Sequence, residues 1–156
     1  MRLVIDVAVL LGCILLCQAA GVLGVLVSDT GESEWYRALA KPSFNPPGWI
    51  FGVVWPVLYV MMGVSLYLLL RHWPASRWAI ALFAVQLLLN ASWTPVFFGL
   101  HQMAAALVIL IALWATLVAT LYASWQVSTP AALLLLPYFA WTSFAMILNA
   151  TFWRLN

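Results

Sequence analysis

Charge is almost missing from this chain. Charged residues are 6% of its 156 positions, against 67% hydrophobic. Soluble domains carry about a quarter charged residues, so an ordinary soluble domain is excluded. The net charge of +2 is dispersed, with no basic run, which argues against nucleic acid as a partner. Cysteine is scarce as well. Cys13 and Cys17 lie one helical turn apart in an apolar run. A disulfide there would strain a helix, so nothing points to an oxidising compartment. The last four apolar segments hold no acidic, basic or histidine side chain at depth, and ion or proton pathways ordinarily need such groups. His72 and His101 stand apart in short loops with no acidic or thiol partner in register, a poor basis for a metal site. No Ser-His-Asp or Cys-His arrangement and no glycine-rich phosphate loop is present. Hydrolysis and phosphoryl transfer are therefore not expected.

What the chain has in abundance is long apolar runs. Five segments approach the roughly twenty residues that cross a bilayer. Helices are expected over about 4–27, 48–70, 76–98, 103–125 and 130–153, with a long first loop at 28–47. The fold class is then an all-α integral membrane protein, a single domain over residues 1–156. Leu10-Leu11-Gly12-Cys13 looks like a lipoprotein cleavage box. However, Asp6 sits where a signal peptide avoids acid, and the apolar run continues well past Cys13; a retained membrane helix is the expectation. Arg2, Arg71 and Arg77 fall on one side and Arg37, Lys41 and Arg154 on the other, so the positive-inside rule does not choose an orientation.

The first loop is aromatic and stiff. Trp35, Tyr36 and Phe44 would give it an apolar underside, and Pro42, Pro46 and Pro47 forbid regular helix around them. Two readings are open: a lid folded over the bundle, or an interfacial anchor of the kind Trp and Tyr favour. There are ten tryptophans. Trp49, Trp73, Trp78, Trp125 and Trp153 lie near expected helix ends, where aromatic belts form. Trp55, Trp93, Trp114 and Trp141 are deeper.

Three helical faces carry the candidate site. Gln86, Asn90 and Thr94 recur at i, i+4 and i+8, with Trp93 beside Asn90. Trp55 and Tyr59 share a face one turn apart. Trp141, Ala145 and Asn149 form a second i, i+4, i+8 stripe. Uncharged polar groups at membrane depth need partners on another helix or on a ligand. Indoles and amides around one space make a site for a flat apolar molecule. Pro56, Pro95 and Pro137 interrupt three helices, either widening a cavity or serving as packing features. A further stripe of small residues, Cys13, Cys17 and Gly21, offers close packing to a partner membrane helix.

In order along the chain, Trp35-Tyr36, Leu39, Lys41-Pro42, Asn45-Pro46-Pro47-Gly48-Trp49, Phe51, Trp55, Tyr59, Gln86, Asn90, Trp93 to Gly99, Pro137-Tyr138, Trp141, Asn149 and Trp153-Arg154 resemble the TspO/MBR family. This family holds the translocator proteins, or peripheral-type benzodiazepine receptors. The resemblance covers nearly the whole chain. It implies a five-helix bundle, commonly a homodimer, with the first loop closing a pocket. It implies tetrapyrrole ligands such as protoporphyrin IX, sterols in some members, and synthetic benzodiazepine-site ligands. It implies no obligatory cofactor and no metal. By position, Trp55, Asn90, Trp93, Trp141 and Ala145 look like the family's pocket residues. Trp55 and Trp141 match tryptophans implicated in light-dependent porphyrin breakdown by some bacterial relatives. The sterol pattern of animal members closes the fifth helix with Leu or Val, then Tyr, then Arg or Lys; the run here, Leu148-Asn149-Ala150-Thr151-Phe152-Trp153-Arg154, has no Tyr. The compact chain and short tail resemble a bacterial member, placed in the cell membrane or the outer membrane.

The expected function is a membrane protein that binds porphyrins and senses, carries or helps dispose of them. The site residues are Trp35, Phe44, Trp55, Tyr59, Asn90, Trp93, Trp141, Ala145 and Asn149. The alternatives are photo-oxidative porphyrin degradation, and a ligand-responsive regulatory or scaffold protein or a sterol-binding translocator.

Overall fold

The computed structural model describes residues 2–26, 28 and 33–156. The acidic stretch of the first loop around Asp29 and Glu32 lies outside the described residues, as does the side chain of Arg2.

Five helices are long and apolar enough to cross a membrane, and no strand occurs among the described residues. They are α1 (Arg2–Leu26), α3 (Gly48–Leu70), α4 (Arg77–Thr94, continued by a π-helical turn over Pro95–Gly99), α5 (Met103–Trp125) and α6 (Thr129–Leu155). A short helix, α2 (Glu34–Ala38), interrupts the first loop, where no helix was expected. Ser33 caps it by accepting from the Tyr36 N–H at 3.2 Å. Glu34 in the first turn and Arg37 in the last complement its dipole. So short a helix survives only by docking. Beyond Leu39 the chain is irregular, with one turn at Ser43–Phe44 closed by the Asn45 N–H donating to the Pro42 carbonyl at 3.0 Å.

The long helices close into a ring in the order α1, α3, α6, α5, α4 and back to α1. Consecutive α3 and α4 meet only slightly, because α1 stands between them on one side and α6 and α5 on the other. Close approach depends on small residues on α1 and α3. A side chain at Gly63 would collide with the Ile14 backbone, and one at Gly21 with the ring of Tyr59. The stripe of Cys13, Cys17 and Gly21 is thus spent inside the bundle, with both cysteines buried and free. It is not available to a partner helix, which corrects the expectation from spacing alone. The opposite face of α1 is exposed apolar surface, Val4 to Leu26, as a lipid-facing helix requires.

Pro95 has no N–H to give, and the chain answers by widening the turn. The Leu100 N–H donates to the Pro95 carbonyl at 2.9 Å, five residues back. This places Phe97 fully in the core and Phe98 half-buried beside it, their rings 4.8 Å apart. The belt tryptophans Trp49, Trp73, Trp78, Trp125 and Trp153 are all exposed, while Trp114 is tied into the bundle by donating to Ser143 Oγ at 2.9 Å.

Candidate functional site

At mid-bundle, one amide joins three helices. Tyr59 OH on α3 donates to Asn90 Oδ1 at 2.7 Å, and Asn90 Nδ2 on α4 donates to Tyr138 OH on α6 at 3.0 Å. Tyr138 is wholly buried. One turn on, Trp93 Nε1 donates to Asn149 Oδ1 at 3.0 Å, and Asn149 Nδ2 donates to the Met103 carbonyl at 2.9 Å. A polar group with no water available must find such partners. The Gln86–Asn90–Thr94 stripe divides. Thr94 and Asn90 face a cavity, whereas Gln86 is fully buried away from it, with neither amide atom hydrogen-bonded among the described residues.

Around these bonds stands an aromatic wall. Trp55 stacks on Tyr59 (5.5 Å, 25°) and meets Trp141 edge-on (6.5 Å, 89°). Trp93 stacks on Phe97 (5.4 Å, 29°) and meets Phe98 edge-on. Such geometries suit the ring quadrupoles. The Trp141 indole N–H is buried without an acceptor among the described residues.

The wall separates two spaces. The larger is a groove of about 970 Å³ bounded by α1, the first loop, α3 and α4. This is at the top of the usual range for small-molecule sites, roughly 300–1,000 Å³. Tyr59 and Asn90 lie at its buried floor, Trp55 and Trp93 on its walls, and Gln18, Lys41 and Pro46 toward its rim. The smaller, about 30 Å³, lies between Trp55, Trp93, Trp141, Ala145 and Asn149; it has room for about one water. The sequence grouped these residues around a single space. In the structure Trp55 and Trp93 border both spaces, Tyr59 and Asn90 only the groove, and Trp141, Ala145 and Asn149 only the inner pocket.

Trp35 and Phe44 line neither space. Trp35 packs on Phe97 (5.8 Å) and stacks on His101 (4.2 Å, 16°), while Phe44 leans on Phe144 (6.3 Å). Tyr36 beside them borders both spaces and packs on Phe98 and Phe152. The loop is also pinned to the end of α6: the Ala40 N–H donates to Asn156 Oδ1 at 2.8 Å, and Asn156 Nδ2 donates to the Ala40 carbonyl at 3.1 Å. His101 holds its place in the stack with a left-handed backbone, φ 56°, a conformation that costs a non-glycine residue about 1 kcal/mol or more.

The candidate site residues left out Tyr138, Tyr36 and the whole α1 wall, although both tyrosines stand among the motifs shared with the family. Tyr138 was detectable, since it sits one turn before Trp141 and Thr142 on the same helix. On α1, Gly21 stood out only as a packing residue, and Val22 and Val25 are indistinguishable from lipid-facing positions by composition.

A five-helix membrane bundle with an indole-lined groove, free of charge at its floor among the described residues, beneath a docked loop has the make-up of a small-molecule-binding integral membrane protein. The sequence model of the TspO/MBR family matches residues 13–154. Among curated relatives, the "Tryptophan-rich protein TspO" of Chlorobaculum tepidum is 44% identical over 147 residues, covering 92% of this chain and 93% of its own. The "Translocator protein" of Bos taurus is 41% identical over 149 residues, 93% and 88% of the two chains. "Protein CrtK" of Rhodobacter capsulatus is 38% identical over 143 residues, 90% and 88%. The chain belongs to the TspO/MBR family and is a multi-pass integral membrane protein.

Proposed function

We propose that this protein binds tetrapyrroles of the protoporphyrin IX type in the groove and senses, carries or helps dispose of them. The observation that carries the reading is the groove itself: about 970 Å³, walled by Trp55 and Trp93, with no charged side chain at its floor. A flat aromatic ligand gains about 0.5–1.5 kcal/mol per ring contact beyond burial. The names of the relatives, sensory and translocator proteins, fit a ligand taken up and passed on. The porphyrin is then a ligand and the protein needs no resident cofactor. The docked loop serves as the lid, and a homodimer is the working assembly. Sterols and benzodiazepine-site compounds are further candidate occupants.

Quenching of tryptophan fluorescence by protoporphyrin IX, titrated in mild detergent, tests the reading. Trp55→Leu should weaken binding several-fold while the helical signal is retained. Undiminished affinity in this variant removes Trp55 from the site.

A second reading is light-dependent porphyrin degradation. Trp55 on the groove wall meets Trp141 at 6.5 Å, so a second electron-rich indole stands behind that wall, its N–H without an acceptor among the described residues. Porphyrin absorbance that decays under light in the wild type, but not in Trp141→Phe, would establish it. Equal decay in both would remove it.

A further inference from the structure

Gln86 is wholly buried at membrane depth, and neither its amide oxygen nor its amide nitrogen is hydrogen-bonded among the described residues. An amide left so forfeits the bonds it would make to water, and the hydrocarbon around it returns nothing. The residue lines neither the groove nor the inner pocket, so an occupant of those spaces does not satisfy it. It lies on the buried face of α4 with Ala79, Phe83, Leu87 and Asn90.

Two polar groups stand at its level. Asn90 is one turn further along the same face. Its Oδ1 accepts from Tyr59 and its Nδ2 gives one of two protons to Tyr138, which leaves a second amide proton to donate. A helical turn rises about 5.4 Å, the span that one water covers with two hydrogen bonds of about 2.8 Å each. The other group is Cys17. A side chain at Gly24 on α1 would meet Thr94 and the Ala91 carbonyl on α4, and as alternate spans α1 and α4 run in the same direction. Two turns back along both helices bring Cys17 level with residues 84–87. Cys17 is wholly buried with a free thiol, a small side chain that carries an S–H.

We infer that Gln86 anchors a buried water site between α1 and α4, the water bridging the Gln86 amide to the second N–H of Asn90, with the Cys17 thiol as its third neighbour. Two to four such partners are what a buried water ordinarily has. Water is the ligand this chemistry takes: amides and a thiol, with no carboxylate for a cation and no cation for an anion. The polar column at the groove floor then continues one turn deeper than the Tyr59–Asn90–Tyr138 bonds reach. The inference does not depend on which molecule fills the groove.

The test reads the Gln86 amide directly. Selective 15N-glutamine labelling in detergent micelles gives side-chain signals from Gln18, Gln86, Gln102 and Gln126, and the one lost in Gln86→Met is assigned to Gln86. Should that variant fail to fold, substitution of the other three glutamines assigns the wild-type signal by elimination. Cross-peaks to water of opposite sign in NOESY and ROESY, which separate contact from proton exchange, are expected. Thermal unfolding supplies a second readout with a decisive sign. Gln86→Met strands the water and the Asn90 proton, so the unfolding temperature should fall by a few degrees. A dry, unpaired amide predicts a rise instead, because an apolar side chain of the same length removes its desolvation cost. A wild-type Gln86 amide without contact to water, or a raised unfolding temperature in Gln86→Met, overturns the inference.

Discussion

Replacing Asn90 by Leu asks whether the central amide serves the ligand or the bundle. From spacing alone both were open. In the structure its oxygen takes the Tyr59 hydroxyl and its nitrogen gives to Tyr138, at 2.7 and 3.0 Å. Leucine keeps the same branched skeleton of heavy atoms and is the bulkier residue, so no cavity is left. Interhelical hydrogen bonds in membranes average about 0.6 kcal/mol, and two of them give about 1 kcal/mol. The stranded hydroxyls add to this unequally. Tyr59 borders the groove and can turn toward it, whereas Tyr138 is 0% exposed and cannot. An unsatisfied buried hydroxyl costs about 1–3 kcal/mol, so Asn90→Leu should destabilise the bundle by roughly 2–4 kcal/mol. Adding Tyr138→Phe should recover part of that loss, and adding Tyr59→Phe should recover less. Thermal unfolding in mild detergent across this double-mutant cycle measures both quantities. Native stability in Asn90→Leu, together with a large loss of porphyrin affinity, would refute the reasoning and make Asn90 a ligand-orienting group.

Other consequences follow from the packing. Gly63→Ala should hinder α1 from seating against α3, because the added Cβ meets the Ile14 backbone; a destabilisation of about 1–3 kcal/mol is expected by the same unfolding assay, with Gly12→Ala, whose Cβ meets nothing within 4 Å among the described residues, as the control. Changing Pro46 and Pro47 to Gly should loosen the loop and raise the porphyrin off-rate more than it lowers the on-rate; stopped-flow release checks it, and an unchanged off-rate with faster loop proteolysis would favour the interfacial anchor. His101→Ala removes the 4.2 Å stack on Trp35 and should make the α2 segment more sensitive to limited proteolysis, with little effect on the unfolding temperature of the five long helices.

The five spans were legible because span length and hydropathy are local quantities. Every long helix lies within a few residues of its expected position. The belt tryptophans were legible for the same reason, and the polar stripes on α4 and α6 were found at their true spacing. Two local features escaped. The π-helical turn after Pro95 depends on where the freed backbone groups find partners, which a missing N–H does not specify. The α2 helix is too short for periodicity to register, and its stability comes from Trp35 and Tyr36 packing on the bundle.

What only the tertiary structure decided is which faces meet. A helical period says that Asn90 and Trp93 share a side, and nothing about what stands opposite. The ring order sets α1 between α3 and α4, turning an apolar helix that stood out only for its small-residue stripe into one wall of the groove. The same order brings Tyr138 to Asn90 and Asn149 to Trp93 across 48 and 56 residues of chain, giving candidate site residues hydrogen-bond partners on other helices of the bundle. It also stands Trp55 between two spaces that the sequence reads as one. Residue types and their periods fixed what each helix carries to its inner face. The division of that inner surface into floor, wall and rim depends on contacts between residues far apart in the chain, and periodicity within one helix holds no record of them.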